Sequence, residues 1–142
     1  MMREILFRGK RRIKGPWEYG SLIFINGKPC ILDEVVGDPV EGLEYWIPFI
    51  PETVGQYTGL TDKNGKKIFE GDIVRHYYKV AVGEPDDFVI GLVRWNEKFL
   101  SWERTSASSE HFPYDFVRLS HRCVYEVVGN IHDNPELLEG KS

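Results

Sequence analysis

The sequence lacks the long apolar runs that membrane insertion or secretion requires. No stretch approaches the roughly 18 to 20 apolar residues with which a helix crosses a bilayer. Near the N-terminus, Arg3, Glu4 and Arg8 interrupt the apolar segment that a signal peptide would need. We therefore expect a cytoplasmic protein without membrane contact.

Cysteine is scarce, and neither cysteine nor histidine is spaced for a metal site. Cys30 and Cys123 are the two cysteines, and they form no CxxC pair. We expect them to be reduced thiols. The four histidines have no histidine partner at i+2 or i+4, whereas a zinc site needs three or four converging ligands. The sequence therefore predicts no bound metal and no cofactor.

The short motifs of several enzyme classes are also missing, namely GxGxxG, the P-loop, HExxH and GxSxG. Two pairs of carboxylates, Asp62 with Asp72 and Asp86 with Asp87, are candidates for general acid and base. Such a pair must share a cavity and have separated pKa values. The second pair lies in an acidic loop, residues 83–87, that favours solvent. We predict that the protein is not an enzyme.

Short β-rich segments separated by turns make up most of the chain. Its 142 residues, 42% of them hydrophobic, suffice for one domain or two small ones. Apolar and polar residues alternate with the period of strands. Asn26-Gly27 indicates a type I′ hairpin, in which both central residues take positive φ. The sequence predicts an all-β protein built from small antiparallel barrel or meander units, with one helical turn at 134–139.

A turn-rich, acidic connection at residues 37–44 and a proline-bracketed segment at 45–50 divide the chain. We predict an N-terminal β-meander unit, residues 1–50, and a C-terminal β-barrel-like unit, residues 51–142. Residues 8–14 are expected to connect the first two strands, and 106–113 to form a loop. The predicted strands are residues 4–7, 17–25, 30–32, 53–60, 68–80, 88–95, 99–104, 116–119 and 125–131.

The net charge of −4 is unevenly distributed. Residues 1–36 carry seven basic and four acidic residues, whereas residues 37–142 carry 11 basic and 18 acidic ones. Five of the bases fall within residues 8–14, which we call the basic segment. Clustered Lys and Arg side chains neutralise phosphates, and aromatic side chains stack on the unpaired nucleobases of a single strand. The candidate contacts for a nucleic acid or another anion are Arg8, Lys10, Arg11, Arg12, Lys14, Trp17 and Tyr19.

Other uses of the basic segment compete with nucleic-acid binding. The isoelectric point of about 5.6 lies below the basic values of dedicated nucleic-acid modules. The segment can equally pair with the acidic loop of a neighbouring copy, or simply stay solvated. Nucleic-acid binding is therefore the alternative hypothesis.

Two longer motifs carry a family resemblance. Residues 54–74 read VGQYTGLTDKNGKKIFEGDIV, and residues 127–138 read VVGNIHDNPELL. Together with Phe7-Arg8-Gly9-Lys10 and residues 17–22, they resemble the signatures of the YopX family over nearly the whole chain. The resemblance implies a phage or prophage protein, mostly β and self-assembling, without an established biochemical activity. It supplies no catalytic residues.

These motif residues also have a structural interpretation. Asn64-Gly65 favours a hairpin turn, and Gly59 and Gly71 suit bends or positive φ. Glu70-Gly71-Asp72 resembles the turn that opens a strand in SH3-like barrels, in which the Asp side chain caps the turn. We predict that the motifs are chiefly structural.

These observations favour a non-enzymatic, oligomer-forming binding or accessory protein of a phage or prophage. We expect it to act in the cytoplasm of the bacterial host cell. Its expected partners are copies of itself and a phage or host protein.

Overall fold

Antiparallel strands make up most of the regular structure. The computed structural model describes residues 2–32, 49–106 and 116–139, and it is 51% strand and 6% helical. The predicted connection at 37–44, most of segment 45–50 and most of loop 106–113 lie outside these residues. The described strands are β1 Phe7–Gly9, β2 Glu18–Ile25, β3 Lys28–Leu32, β4 Gly55–Thr61, β5 Lys67–Phe69, β6 Asp72–Tyr78, β7 Asp87–Asn96, β8 Ser101–Thr105, β9 Phe116–Arg118 and β10 Val124–Asn130.

The strands belong to two compact units, Met1–Tyr57 and Thr58–Ser142. Strand β4 spans the boundary between the two units. The domains predicted at 1–50 and 51–142 stay a prediction, because compactness alone does not show that a segment folds independently.

The first unit pairs its strands in the antiparallel order β3–β2–β1–β4, and β4 also pairs with β5 to complete a five-stranded sheet. The β2–β3 turn has the expected type I′ form, with φ of 51° at Asn26 and 76° at Gly27. Cys30, Ile31 and Phe49 form the buried core. A Cβ at Gly9 would lie 3.1 Å from side-chain carbons of Ile31 and Phe49. Glycine therefore lets β1 pack closely on this core.

The first strand begins three residues later than predicted. Residues 4–6 are not in a strand, and Arg8 lies within β1 rather than in a connecting loop. Arg8 pairs across the sheet with both Tyr19 and Gly55. This double pairing depends on residues distant in sequence, which local alternation does not reveal.

The second unit contains a sheet in the order β10–β6–β7–β8–β9. Its core consists of the buried residues Ile68, Val74, Val93 and Tyr125. The β7–β8 turn is longer than predicted. Asn96 Oδ1 accepts hydrogen bonds from the amides of Lys98 and Phe99, both 2.9 Å, and β8 begins only at Ser101.

The prediction of a mainly β protein is confirmed, but the described strands of the second unit form an open sheet rather than a barrel. Closure would require β9 to pair with β10. The edge of β10 that does not pair with β6 is already hydrogen-bonded to the turn after β4. Val127 amide donates to Asp62 Oδ2 at 2.9 Å, and Lys63 amide donates to the Tyr125 carbonyl at 2.8 Å. Strand β9 has only three residues, which leaves little edge for pairing.

Two predicted turns have the expected form. Gly71 has φ of 92°, and Asp72 Oδ2 accepts the Phe69 amide at 2.8 Å, as in the turn that the sequence predicts. A 3-10 turn, Pro135–Leu138, ends the described chain with Pro at its first position. Asn134 does not cap it, because its Oδ1 accepts the Asn130 amide at 3.2 Å instead.

Candidate functional site

Two bases of the basic segment are buried. Arg8 is 4% exposed and Lys10 is 5% exposed. The Arg8 guanidinium lies 4.4 Å, and the Lys10 ammonium 5.0 Å, from the centre of the Trp17 ring. The Lys10 amide also donates to Thr53 Oγ1 at 2.9 Å. Cation–π contacts between buried groups stabilise a fold, so Arg8, Lys10 and Trp17 have structural roles in the first unit.

The other predicted contact residues are more accessible. Arg12 and Lys14 are exposed, and Tyr19 is 44% exposed. Arg11 lies 3.1 Å from Glu18 and 5.0 Å from the centre of the Phe49 ring. The structure thus brings the seven predicted residues into one region of the first unit, but it leaves only some of them facing solvent.

This arrangement bears on the nucleic-acid hypothesis. Each phosphate contact contributes to affinity and to its salt dependence, and a cation buried on Trp17 is poorly placed to make one. Trp17 in turn has two cations near its ring. The basic segment therefore offers a polyanion fewer contacts than the sequence suggests, and nucleic-acid binding there stays a prediction.

The motif carboxylates are occupied by backbone amides. Asp62 Oδ1 accepts the amides of Asn64 and Lys66 at 2.8 and 2.9 Å, and Oδ2 accepts that of Val127. Burial alone would raise the pKa of Asp62, but these hydrogen bonds outweigh it and hold the pKa below its ordinary value. A carboxylate held in this way fixes a turn and is poorly suited to general acid–base catalysis.

The second predicted carboxylate pair lies in the acidic loop and is exposed. Asp86 forms an ion pair of 3.3 Å with Lys79, and Asp87 Oδ1 accepts the Phe88 amide at 2.8 Å. Neither contact forms a shared proton-transfer site.

A polar cluster surrounds His76 in the second unit. The Arg104 Nε group donates to His76 Nδ1 at 2.8 Å, and the His76 ring centre lies 4.8 Å from that of Tyr125. Burial and the Arg104 charge lower the pKa of His76. Burial raises the pKa of Tyr125 to about 12. These directions favour neutral imidazole and neutral phenol beside a guanidinium.

Neither metal ligands nor membrane-spanning helices appear in the described segments. No group of three or more His, Cys, Asp or Glu side chains there could hold a metal ion. No helix in those segments has the length and apolar character needed to cross a bilayer. Both cysteines are free thiols, and burial raises the pKa of Cys30.

A cavity of about 210 Å³ opens in the second unit. Trp102 lies among the lining residues, and Arg118 and His121 contribute cationic or polar groups. This cavity is not predicted from the sequence, although Arg94, Trp95, Lys98, Phe99 and Trp102 alternate basic and aromatic side chains. Pairing of β8 with β9 brings the Trp102 segment to Arg118, and this pairing is not visible in the sequence.

Comparison with known proteins identifies the family. A family model described as YopX protein matches residues 6–139. The chain belongs to the YopX family. The crystal structure of protein EF1440 from Enterococcus faecalis is similar, with a TM-score of 0.55 and 24% sequence identity over 97% of this chain and 100% of that chain. At this identity the likeness shows the fold alone. No match to a curated protein is found.

The two longest motifs of this YopX-family chain meet in the second unit. Asn130 pairs with Asp72, and the Ile131 amide donates to the Gly71 carbonyl at 2.9 Å. Asn130 Oδ1 accepts the amides of His132 and Asp133 at 3.0 and 2.9 Å. The motif polar groups therefore stabilise turns, in agreement with their structural interpretation.

Proposed function

We propose that this YopX-family protein is a non-enzymatic, self-assembling binding or accessory protein. The proposal includes a phage or prophage setting, and with it the cytoplasm of a bacterial host, and the family match supports this part of it. One observation supports self-assembly: an exposed segment of the first unit and an exposed segment of the second unit have opposite charge, and each includes exposed apolar side chains.

The basic surface lies in the first unit. Arg12 and Lys14 are exposed, and Ile13 between them is 77% exposed. An isolated apolar side chain on a surface is ordinary. A strongly exposed isoleucine between two exposed cations is a suitable contact for a surface that is both apolar and acidic.

The acidic surface lies in the second unit, on residues 78–88, which we call the arm. Every residue of the arm is exposed. It carries Glu84 and Asp87 of the acidic loop, and Val80 and Val82 are 52% and 105% exposed. The arm therefore combines negative charge with apolar side chains that the described part of the chain does not cover.

Contact between the basic segment of one copy and the arm of the next would use both properties. Opposite charges steer association and fix its orientation, while burial of Ile13 and Val82 contributes apolar contact. Because the two surfaces differ, the contact is heterologous, and repetition gives a ring or a filament. Further partners, such as a phage or host protein, would bind the assembled form.

A charge-swap experiment tests this proposal. The double variant R12E/K14E reverses the charge of the basic surface, and the double variant E84K/D87K reverses the charge of the acidic surface. Sedimentation velocity at low salt should show weaker association of each variant alone. A mixture of the two should associate again, because its charges are complementary. K28E, which alters an exposed lysine outside the basic segment, is the matched control and should assemble normally.

Two results would overturn the proposal. One is a wild-type protein that sediments as a monomer at low salt at every concentration. The other is assembly that survives both double variants unchanged, which would mean that neither surface takes part.

A further inference from the structure

The cavity of the second unit contains one buried side-chain hydroxyl without a hydrogen-bond partner within the described residues, that of Ser101, and two exposed side chains, Arg118 and His121. Its walls are contributed by β4, β8, β9 and the segment after β9. Its lining residues include Leu60, Ser101, Trp102, Arg118, Leu119 and His121. At about 210 Å³ it is smaller than a typical drug-sized site, so it accommodates one ring-sized group with the remainder of a ligand outside.

Only some of its hydrogen-bonding groups are engaged. Thr58 Oγ1 and Ser120 Oγ form hydrogen bonds, whereas the buried Ser101 hydroxyl forms none within the described residues. The Arg118 guanidinium lies 5.8 Å from the centre of the Phe99 ring, and both Arg118 and His121 are exposed. A buried hydroxyl without a partner costs stability unless a water or a ligand satisfies it. The donors that the wall presents to an occupant are those of the exposed Arg118 and His121 side chains.

The charge of the cavity selects for an anion. None of its described lining residues is acidic. Arg122 adjoins His121, and Lys98 lies 5.9 Å from the centre of the Phe99 ring that Arg118 also contacts. Guanidinium and imidazole groups bind phosphate well. Glu103, which pairs with Arg118 across β8 and β9, already forms an ion pair of 2.6 Å with Arg94.

The apolar part of the wall selects for a flat group. Trp102 offers an indole, and Leu60 and Leu119 add aliphatic surface. An aromatic wall beside cations is the combination with which proteins bind nucleotides through stacking and phosphate contacts. A phosphorylated sugar without a base would use the cations but not the indole.

We propose that this cavity binds a nucleoside phosphate, either as a free nucleotide or as one unit of a single-stranded nucleic acid. The base lies against Trp102, and the phosphate is bound by Arg118 and His121. Binding involves no bond making, and it uses residues distinct from the basic segment and the arm. It therefore goes beyond the self-assembly proposed above.

Two probes distinguish the two sources of the ligand. One is adenosine monophosphate, followed by calorimetry. The other is a fluorescein-labelled oligodeoxythymidine of about 12 nucleotides, followed by anisotropy at about 50 and about 200 mM salt. Binding of both, or of either alone, supports the proposal and identifies the form. Inorganic phosphate should compete more weakly than adenosine monophosphate, because it lacks the base.

The variants R118Q and H121Q test the phosphate contacts on exposed side chains. R118Q should weaken binding of the supporting probe about tenfold, as expected when a charge-assisted hydrogen bond is lost. W102L should weaken it about fivefold or more through lost stacking. Because Trp102 also packs against the core, the folding of the W102L variant must be checked by circular dichroism. R118Q tests the cavity independently of the core. K28Q removes the same charge in the first unit and should bind normally.

Several outcomes would overturn the proposal: no binding of either probe at about 50 mM salt, equal binding by wild type, R118Q and H121Q, or equal competition by inorganic phosphate. Equally tight binding of duplex DNA and of the single strand would also overturn it, because the bases of a duplex stack on one another and are not available to Trp102. R12E/K14E should retain binding to the cavity, so failure of self-assembly and failure of nucleotide binding are separately visible.

Discussion

In the second unit, the buried carboxylate of Asp62 and the buried hydroxyl of Ser101 are in opposite situations. Asp62 accepts hydrogen bonds from three backbone amides and fixes a turn against β10. Ser101 has no hydrogen-bond partner within the described residues and lines a cavity with Arg118 and His121. The same kind of burial thus accompanies a satisfied polar group in one place and an unsatisfied one in the other.

This difference separates structure from function within one small fold. A polar side chain whose hydrogen bonds are all made to its own backbone contributes to stability, and its loss is felt mainly in folding. An exposed polar side chain without a partner adds little to stability and is available to a ligand. The basic segment contains both kinds, because Arg8 and Lys10 contact Trp17 while Arg12 and Lys14 face solvent.

The largest expected effect comes from removing the Asp62 carboxylate. D62A leaves three amides without their acceptor, and we expect it to lower the free energy of unfolding by about 3 kcal/mol. Urea denaturation followed by tryptophan fluorescence measures the loss. E52A removes an exposed carboxylate in the first unit and should have almost no effect. A loss below about 1 kcal/mol for D62A would contradict the structural role.

The next largest effect concerns Gly129, in the C-terminal motif. A Cβ at this position would lie 2.6 Å from Asn134 Oδ1 and 2.9 Å from Leu137 Cδ1. G129A should therefore cost about 2 kcal/mol through overpacking, measured by thermal or urea unfolding. An unchanged unfolding midpoint would show that the terminal turn does not pack on β10 as described.

Within the basic segment, R8A and R12A should differ. R8A removes a buried guanidinium from the Trp17 ring and should lower stability by about 1 to 2 kcal/mol. R12A removes an exposed charge and should stay within about 0.5 kcal/mol of wild type. Parallel urea unfolding curves compare the two variants. Equal losses would remove the distinction between structural and available bases.

A smaller effect is expected from the pH dependence of stability at His76. Because its pKa is lowered in the folded protein, the unfolded chain binds the proton more readily. The contribution of neutral His76 to the free energy of unfolding is fully present at pH values above its ordinary pKa of 6.5. This contribution decreases as the pH falls towards the lowered pKa of the folded protein. Wild type should therefore lose more stability than H76Q between about pH 7.5 and about pH 5.5. Equal losses of stability by wild type and H76Q over this pH range would show that folding does not lower the pKa of His76.

Much of the fold follows from local signals. The Asn26-Gly27 turn, the Gly71-Asp72 turn and the proline-started terminal turn depend on backbone preferences that the residues themselves carry. The start of β1 could not be located in this way, because Arg8 pairs with residues on two distant strands. Leu100 has φ of 52° in the β7–β8 turn, a conformation that its sequence gives no reason to expect.

The candidate sites were less predictable. The sequence indicates the clustering of bases at 8–14, but the burial of Arg8 and Lys10 depends on Trp17 and Thr53, which reach them only in the folded unit. The cavity depends on β8–β9 pairing, which brings together Trp102, Arg118 and His121 across a connection of unpatterned residues. Strand pairing at a distance is what a single sequence conveys least.

Sedimentation equilibrium of the wild-type protein measures the proposed self-assembly without any substitution. At about 50 mM salt, we predict an apparent mass that rises with protein concentration to a multiple of 16.5 kDa. That mass should fall as salt screens the contact between the basic segment and the arm. A constant mass of one chain under all these conditions would contradict the claim.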